Sequence, residues 1–249
     1  LELIIIATPA VSHLPLLELF HEKPLICEKP LFGWQQPVSA ARRLGRSALW
    51  VNYAFAFLPA ARQLAAALPQ LGQLDKVEVV SEVLAPLAFD WQHWFTEVAS
   101  HPLSLLLHLL GPAWPRGHGP ISTSHGTGPT CGYQLHCWWP QGINGDIRVL
   151  PASRAGISHS LRCCGEHGVL QLKGSMAWGG PWQFGPLYHN GVAQPQQAES
   201  GDHWLNANHR AVCQMVHAIR GEITADNALA SGLFDAPKAL RLEALLAAT

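Results

Sequence analysis

The sequence predicts an α/β protein in which a small parallel sheet is followed by an α+β domain with a mainly antiparallel sheet. Of its 249 residues, 48% are apolar, which is enough for a sizeable buried core. Short apolar runs alternate with helical segments in residues 1–53, an order typical of parallel strands joined by crossovers. Strand-like segments separated by Gly, Pro and Asn then fill residues 121–172, which favours an antiparallel sheet.

The parallel sheet is predicted in residues 1–53. Residues 3–7 form a continuous apolar run rich in isoleucine, which indicates a strand buried on both faces, and Pro9 ends it. Ser12 can cap the helix over residues 14–22, which carries an apolar stripe. The same reasoning predicts the other elements of this part, which are strands at 25–27 and 48–53 and a helix at 37–44.

A second domain is predicted over residues 54–249. Its β-branched run at 74–84 indicates a strand, and Gly165 to Gly168 resembles a hairpin connection. The residues 174–201, rich in Gly, Pro, Gln and Trp, are predicted as a loop. Helices are predicted at 58–68, 96–110, 204–220 and 237–248, and further strands at 133–139, 146–150, 157–164 and 169–172.

Charge and cysteine content exclude several classes of protein. Sixteen basic and seventeen acidic residues give a net charge of -1, so neither nucleic acid nor an anionic membrane is favoured as a partner. The longest apolar runs are far shorter than the ~20 residues that cross a bilayer. Six cysteines are too sparse for a disulfide scaffold, and the first residues do not resemble a secretory signal. We therefore expect a cytoplasmic protein with free thiols.

Polar residues follow two neighbouring strands of the parallel sheet. Thr8 and Pro9 end the first strand, and Glu28, Lys29 and Pro30 follow the second. Because ligands of open parallel sheets bind at the carboxyl ends of the strands, both groups are expected to face one crevice. A lysine there can hydrogen-bond a ribose or carbonyl and stabilise a developing oxyanion, but a solvated lysine after a strand fits the spacing equally well.

Taken together, these segments resemble the glucose-fructose oxidoreductase and inositol dehydrogenase family (Gfo/Idh/MocA). The resemblance covers nearly the whole chain and is weak between residues 112 and 156. It is carried by the segments Ile5-Ile6-Ala7-Thr8-Pro9 with His13, Cys27-Glu28-Lys29-Pro30-Leu31, Val51-Asn52-Tyr53 with Pro59, Ser100-His101, Leu105 to Gly111, and Gly165-Glu166-His167-Gly168.

The resemblance implies an oxidoreductase that transfers a hydride between NAD or NADP and a sugar, cyclitol or related small molecule. A partial Rossmann domain would hold the cofactor, and the second domain would cover the reacting carbon and form a homo-oligomer through its antiparallel sheet. Lys29 would lie beside the nicotinamide ribose and the substrate hydroxyl, and His101 would exchange the hydroxyl proton. Glu97 occupies the position of a common aspartate, one helical turn before His101, and would orient the ring or bind a substrate hydroxyl.

The resemblance also implies residues that line the cofactor crevice. Thr8, Pro9 and His13 would do so at the end of the first strand. Glu28 would orient the motif that contains Lys29, and Pro30 would follow a peptide bond that is often cis in this family.

The sequence departs from the family in the segment that would bind the cofactor pyrophosphate. The glycine-rich turn that holds the pyrophosphate is absent, so we expect the chain to begin within the Rossmann domain and to bind cofactor weakly. The first strand would then be an unpaired sheet edge. Ala56 stands where many members of the family have arginine.

Two other interpretations remain open. Glu97, His101 and His108 share a helical face and would suit a metal site, with Cys131 or Cys137 as further ligands or as buried apolar residues. Alternatively, the chain is a non-catalytic binding module of the same fold. In that case Trp138 and Trp139, on opposite faces of a strand, would serve dimerisation or core packing, and Trp178 and Trp182 would line a pocket or pack on the surface.

Overall fold

A computed structural model describes residues 3–32, 48–84, 91–123, 130–195 and 199–247. The strands are β1 (Ile4–Ile6), β2 (Leu25–Glu28), β3 (Leu49–Asn52), β4 (Leu74–Val83), β5 (Trp114–Thr123), β6 (Thr130–Trp138), β7 (Asn144–Pro151), β8 (Ile157–Gly165), β9 (Gly168–Met176), β10 (Gln183–Phe184), β11 (Tyr188–His189), β12 (Val192–Ala193) and β13 (Phe234–Asp235). The helices are α1 (His13–Leu19), α2 (Pro59–Ala67), α3 (Trp91–Leu110), α4 (His203–Ile219), α5 (Ala225–Ala230) and α6 (Ala236–Ala247).

The first sheet has the strand order β1-β2-β3-β13. β1, β2 and β3 are parallel, and β13 returns from the C-terminal part of the chain to pair antiparallel with β3. All four residues of β3 are buried, whereas β1 is the edge strand and Ile5 is 59% exposed. The predicted strands and the exposed edge are therefore confirmed, and the predicted helix at 37–44 lies outside the described residues.

The second sheet is mainly antiparallel and contains nine strands. β4 lies near its centre, antiparallel to β8 and parallel to β7. Alternate residues of β4, Val77, Val79, Ser81 and Val83, are buried, because α3 covers this face of the sheet through contacts with β4, β6 and β7. The mixed α/β fold class predicted from the sequence is confirmed.

A 3₁₀ turn and the helices α3, α4 and α6 pack together next to β3. The 3₁₀ turn, Ala54–Phe57, follows β3 directly and packs against both α3 and α4. α6 packs against α3 and β3. Within the described parts of the chain, every helix falls short of the length and apolar character needed to cross a bilayer.

The structure adds elements that local patterns do not predict. The predicted loop at 174–201 contains the two-residue strands β10, β11 and β12, which are too short to produce an alternating pattern. β5 was not among the predicted strands, since Pro115, Gly117, Gly119 and Pro120 give it a turn-like composition. The short elements α5 and β13 were not predicted either. The hairpin is confirmed, since Gly165 and Gly168 are the last pair between β8 and β9.

Candidate active site

Lys29 follows β2 immediately and reaches α3. Its peptide bond to Pro30 is cis, as the resemblance implies. The Lys29 Nζ donates to the main-chain oxygen of Glu97 at 3.0 Å and to its Oε2 at 3.1 Å. The lysine side chain is only 16% exposed and that of Glu97 27%. Burial limits competition from water, so the ion pair fixes the ammonium group against the first part of α3.

Glu28 joins three elements at the end of β2. Asn52, the last residue of β3, donates through Nδ2 to Glu28 Oε1 at 2.8 Å and to Asn208 Oδ1 at 2.7 Å. Asn208 lies on α4 and donates in turn to the oxygen of Trp204. These bonds fix the carboxyl ends of β2 and β3 relative to α4.

The residues predicted to line the cofactor crevice lie together at the end of β1. Thr8 and Pro9 are exposed. The fully buried ring of His13 lies with Nε2 2.7 Å from the oxygen of Thr8 and Nδ1 3.0 Å from the oxygen of Pro30. His13 therefore connects the end of β1 with the residue after Lys29, which is a supporting position behind the crevice.

His101 lies one turn after Glu97 on α3, in an aromatic environment. Its ring stacks on Phe55 at a centroid distance of 5.4 Å and meets the edge of Trp204 at 4.7 Å. Its Nδ1 is buried and has no hydrogen-bond partner among the described residues. Burial, together with the charge of Lys29 and the neighbouring His159, holds the pKa of His101 well below its usual value of 6.5. The imidazole is therefore neutral at neutral pH and can accept a proton.

His159 is a second buried histidine of this site, and no sequence motif marks it. It lies on the inward face of β8, and its Nδ1 shares a hydrogen bond of 2.7 Å with Ser81 Oγ on β4. Burial, and secondarily the charge of Lys29, lowers the pKa of His159 to about 3. Trp182 stacks on its ring at 5.4 Å, so this tryptophan lies inside the site, whereas Trp178 is 48% exposed. The alternation of inward-facing and outward-facing positions in the predicted strand 157–164 is the only sequence signal that places His159 on the inward face.

Glu243 on α6 supports the lysine segment from behind. Its Oε1 accepts hydrogen bonds of 2.6 Å from the main-chain N–H of Leu31 and from the hydroxyl of Tyr53. The carboxyl group is buried, and this burial raises its pKa to about 7. Glu243 was not predicted from the sequence, because a single acidic residue on an amphipathic helix normally faces solvent.

Glu243 should make stability depend on pH. Since its pKa is raised in the folded protein, its contribution to the free energy of unfolding is complete below about pH 4.5 and is lost as the pH rises through about 7. We expect Glu243→Gln, which keeps an acceptor for both donors, to be more stable than the wild type above pH 7 by about 3 kcal/mol. Glu243→Leu leaves two buried donors unpaired and should be less stable than the wild type by roughly 2 to 5 kcal/mol at about pH 5, with a smaller difference above pH 7.

Urea unfolding followed by tryptophan fluorescence at about pH 5 and about pH 8 measures both effects. Glu22→Gln is the matched control, because the side chain of Glu22 is 85% exposed. Identical pH dependence in Glu243→Gln and the wild type would contradict the assigned role.

The arrangement does not favour the metal interpretation. Glu97 is engaged by Lys29, and His108 faces a different environment, where burial and the charge of Lys238 lower its pKa to about 4. No group of three or more His, Cys, Asp or Glu within the described ranges could hold a metal ion. Cys137 is buried in the core, and the side chain of Cys131 lies outside the described residues.

Comparison with solved structures identifies proteins with the same fold. An oxidoreductase from Agrobacterium radiobacter, in complex with NAD+, L-tartaric acid and magnesium, is 16% identical over 98% of this chain and 75% of its own, with a TM-score of 0.67. UDP-N-acetylglucosamine 3-dehydrogenase from Acidithiobacillus ferrooxidans is 14% identical over 99% of this chain and 76% of its own, with a TM-score of 0.68. A 3-ketoreductase from Actinomadura kijaniata, in complex with NADP and TDP-benzene, is 16% identical over 100% of this chain and 77% of its own, with a TM-score of 0.68.

These similarities show the fold, which is that of oxidoreductases of the Gfo/Idh/MocA type. No protein-family model and no curated protein matches the sequence.

Proposed function

We propose that this chain is an oxidoreductase that transfers a hydride between the nicotinamide of NAD or NADP and a carbon of a sugar, cyclitol or related small molecule. One observation carries the proposal. Lys29, from the end of a parallel strand, is bonded to Glu97, and Glu97 lies one turn before His101 on α3. The charge of Lys29 also lowers the pKa of His101, which supports a shared site for the two groups. A cation and a neutral imidazole are the pair that carbonyl reduction and alcohol oxidation need.

The charge states of Lys29 and His101 give each group a role in alcohol oxidation. His101 is neutral and accepts the proton of the substrate hydroxyl at Nδ1, while the ammonium group of Lys29 donates a hydrogen bond to the same oxygen and stabilises its developing negative charge. Bound NAD or NADP would supply the acceptor for the hydride of the carbon, so the alcohol would become a carbonyl and its proton would pass to His101. In the reverse direction, the protonated His101 returns that proton to the oxygen.

Glu97 serves Lys29 rather than His101 in this proposal. It was expected to orient the imidazole or to bind a substrate hydroxyl, but its carboxylate and its main-chain oxygen both accept from the Lys29 Nζ. Ser100 Oγ also donates to that main-chain oxygen, at 3.1 Å. We infer that Glu97 holds the ammonium group in position and that the imidazole is oriented by its contacts with Phe55 and Trp204.

The described residues fit the nicotinamide half of the cofactor. Thr8 and Pro9 are exposed at the end of β1, Lys29 follows β2, and the buried Nδ1 of His101 has no partner among the described residues. Thr8 and Pro9 at the end of β1 do not form the glycine-rich turn that would hold a pyrophosphate. We therefore propose that the chain itself binds the cofactor weakly through its nicotinamide end.

Fluorescence titration with NADH and NADPH tests this function. We expect saturable binding with a dissociation constant no tighter than about 10 μM, together with cofactor reduction when sugars or cyclitols are added with NAD or NADP. Thr8→Tyr should weaken binding by adding bulk at the end of β1, whereas Val192→Tyr should not, because Val192 is also an exposed β-branched residue but lies on the other sheet. If neither cofactor binds up to about 1 mM, the oxidoreductase proposal is wrong for this chain.

A non-catalytic binding module that forms homo-oligomers is the second candidate. It is favoured by a partly exposed aromatic pair on the second sheet, where the ring of Trp114, 43% exposed, lies 5.5 Å from the ring of the half-buried Trp138. Trp139, on the opposite face, is buried in the core. Cytoplasmic localisation is a further proposal, supported by the free thiols of Cys27 and Cys163.

A further inference from the structure

Two buried ring nitrogens beside Lys29 lack hydrogen-bond partners. They are Nδ1 of His101 on α3 and Nε2 of His159 on β8, and neither has a partner within the residues that the structure describes. Buried polar atoms are normally hydrogen-bonded, because an unpaired one lowers the stability of the folded protein. Two such atoms in one place are therefore best explained by a ligand that supplies the missing partners.

The two imidazoles belong to one cluster of rings. Phe55 lies 5.4 Å from His101 and 5.3 Å from His159, and the two imidazole centroids are 6.3 Å apart. The three rings thus form a triangle with nearly equal sides. Trp204 borders the triangle beside His101, and Trp182 borders it beside His159. A small ring with apolar carbon faces and polar oxygens at its rim would match this combination of surfaces.

Lys29 acts on both imidazoles. Its charge opposes protonation of His101 and of His159, and burial does so more strongly. Both rings therefore remain neutral, and each has one nitrogen that donates and one that accepts. A hydroxyl group can donate as well as accept, so it can pair with either nitrogen type.

Ser81 gives His159 a fixed orientation. The Ser81 hydroxyl is hydrogen-bonded to Nδ1 of His159, so Nε2 is the ring nitrogen that can bind a ligand. Ser81 and His159 are directly opposite each other on β4 and β8, and both are buried, so the pair is held by the sheet itself. An imidazole positioned this way by a second residue is a feature of ligand-contacting histidines.

The geometry points to His159 as a second substrate-contacting residue, which binds an oxygen on the carbon next to the one that reacts. This inference rests on the proposed function, in which His101 and Lys29 hydrogen-bond the reacting oxygen. His159 would hydrogen-bond the oxygen on the adjacent carbon. The ring centroids are 6.3 Å apart, a separation at which each imidazole can pair with its own oxygen. The proposed contact therefore calls for a substrate with oxygens on adjacent carbons, which is a vicinal diol or the corresponding hydroxyketone.

A pair of matched probes tests the assignment. cis-Cyclohexane-1,2-diol and cyclohexanol differ in one hydroxyl, and the nitrogen NMR signals of the histidine rings report which imidazole each probe contacts. We expect the diol to shift the signals of both His101 and His159, cyclohexanol to shift only those of His101, and the diol to bind about tenfold more tightly.

His159→Phe keeps the ring but removes the nitrogens, so it should bind both probes with equal affinity. His159→Gln, which restores an amide near the position of Nε2, should recover part of the preference for the diol. His118→Phe is the matched control, because His118 also hydrogen-bonds a hydroxyl through Nδ1 and stacks on an aromatic ring, both from Tyr133. It should leave the preference unchanged.

The outcomes separate this inference from the proposed function. If the diol leaves the His159 signals unchanged, or if His159→Phe keeps the tenfold preference, His159 does not contact substrate and the inference is wrong. These binding results do not depend on turnover. Failure to bind NADH or to transfer a hydride would overturn the proposed function instead, as measured by the separate cofactor titration.

Discussion

Replacing Lys29 with methionine is expected to slow hydride transfer by roughly 10²- to 10⁴-fold. Methionine keeps most of the length of the side chain but removes the ammonium group, which is the only described cation bonded to Glu97. Without it, the substrate oxygen loses both a hydrogen-bond donor and the charge that stabilises its developing negative charge. The rate is measured as NADH or NADPH formation with the best sugar or cyclitol substrate of the wild-type chain.

Two further variants make this result specific. Lys76→Met removes another lysine that pairs with a glutamate, Glu78, but on the outer face of β4, and it should keep the wild-type rate. Lys29→Met leaves the partly buried carboxylate of Glu97 unpaired, so Lys29→Met/Glu97→Gln tests whether that charge causes the defect. If the double variant recovers the rate, Lys29 is a structural partner of Glu97 and the catalytic assignment fails.

Replacing His101 with phenylalanine is expected to slow alcohol oxidation by roughly 10²- to 10⁴-fold, the usual effect of losing a general base. Phenylalanine can keep the stacked contact with Phe55 and the edge contact with Trp204, so the packing around α3 should survive. What disappears is Nδ1, the proton acceptor. Because Lys29 and His101 act on the same oxygen, the double variant should be slowed by a much smaller factor than the product of the two single-variant factors.

The pH profile gives an independent measure of the role of His101. Because its pKa is held well below 6.5, its proton-accepting form persists as the pH falls, and the wild-type rate of alcohol oxidation should not decline at pH 6. A decline centred near pH 6.5 would show an ordinary exposed imidazole and would contradict the assignment.

His108→Gln is the matched control, because His108 lies two turns further along α3. It should keep the wild-type rate, whereas a metal site built from Glu97, His101 and His108 would lose activity in both variants.

The three residues assigned to the reaction were identified from the sequence, but one of their contacts was not. Lys29, Glu97 and His101 were proposed because their segments resemble the Gfo/Idh/MocA family, and Glu97 and His101 are also spaced one turn apart on one helix face. That spacing suggests that Glu97 orients His101, since only neighbours on the same helix are visible in the sequence. The structure pairs Glu97 with Lys29, 68 residues away in the chain.

The residues that were missed share one property. His159 and Glu243 carry no motif, and each is important only because of residues far away in the sequence. His159 is oriented by Ser81 across 78 residues, and Glu243 holds Leu31 across 212 residues. Nothing within a window of a few residues distinguishes them from an inward-facing strand histidine and a helix glutamate.

The amino-acid sequence by itself determined the order and type of the longer strands and helices, because apolar periodicity and helix-ending residues act over about ten neighbouring positions. It also determined that polar groups follow β1 and β2. Only the tertiary structure decided which buried groups face each other, which ring nitrogens lack partners and which acid bonds to the lysine. Those facts depend on the packing of segments that are distant in the chain, and desolvation and hydrogen bonding act only once that packing exists.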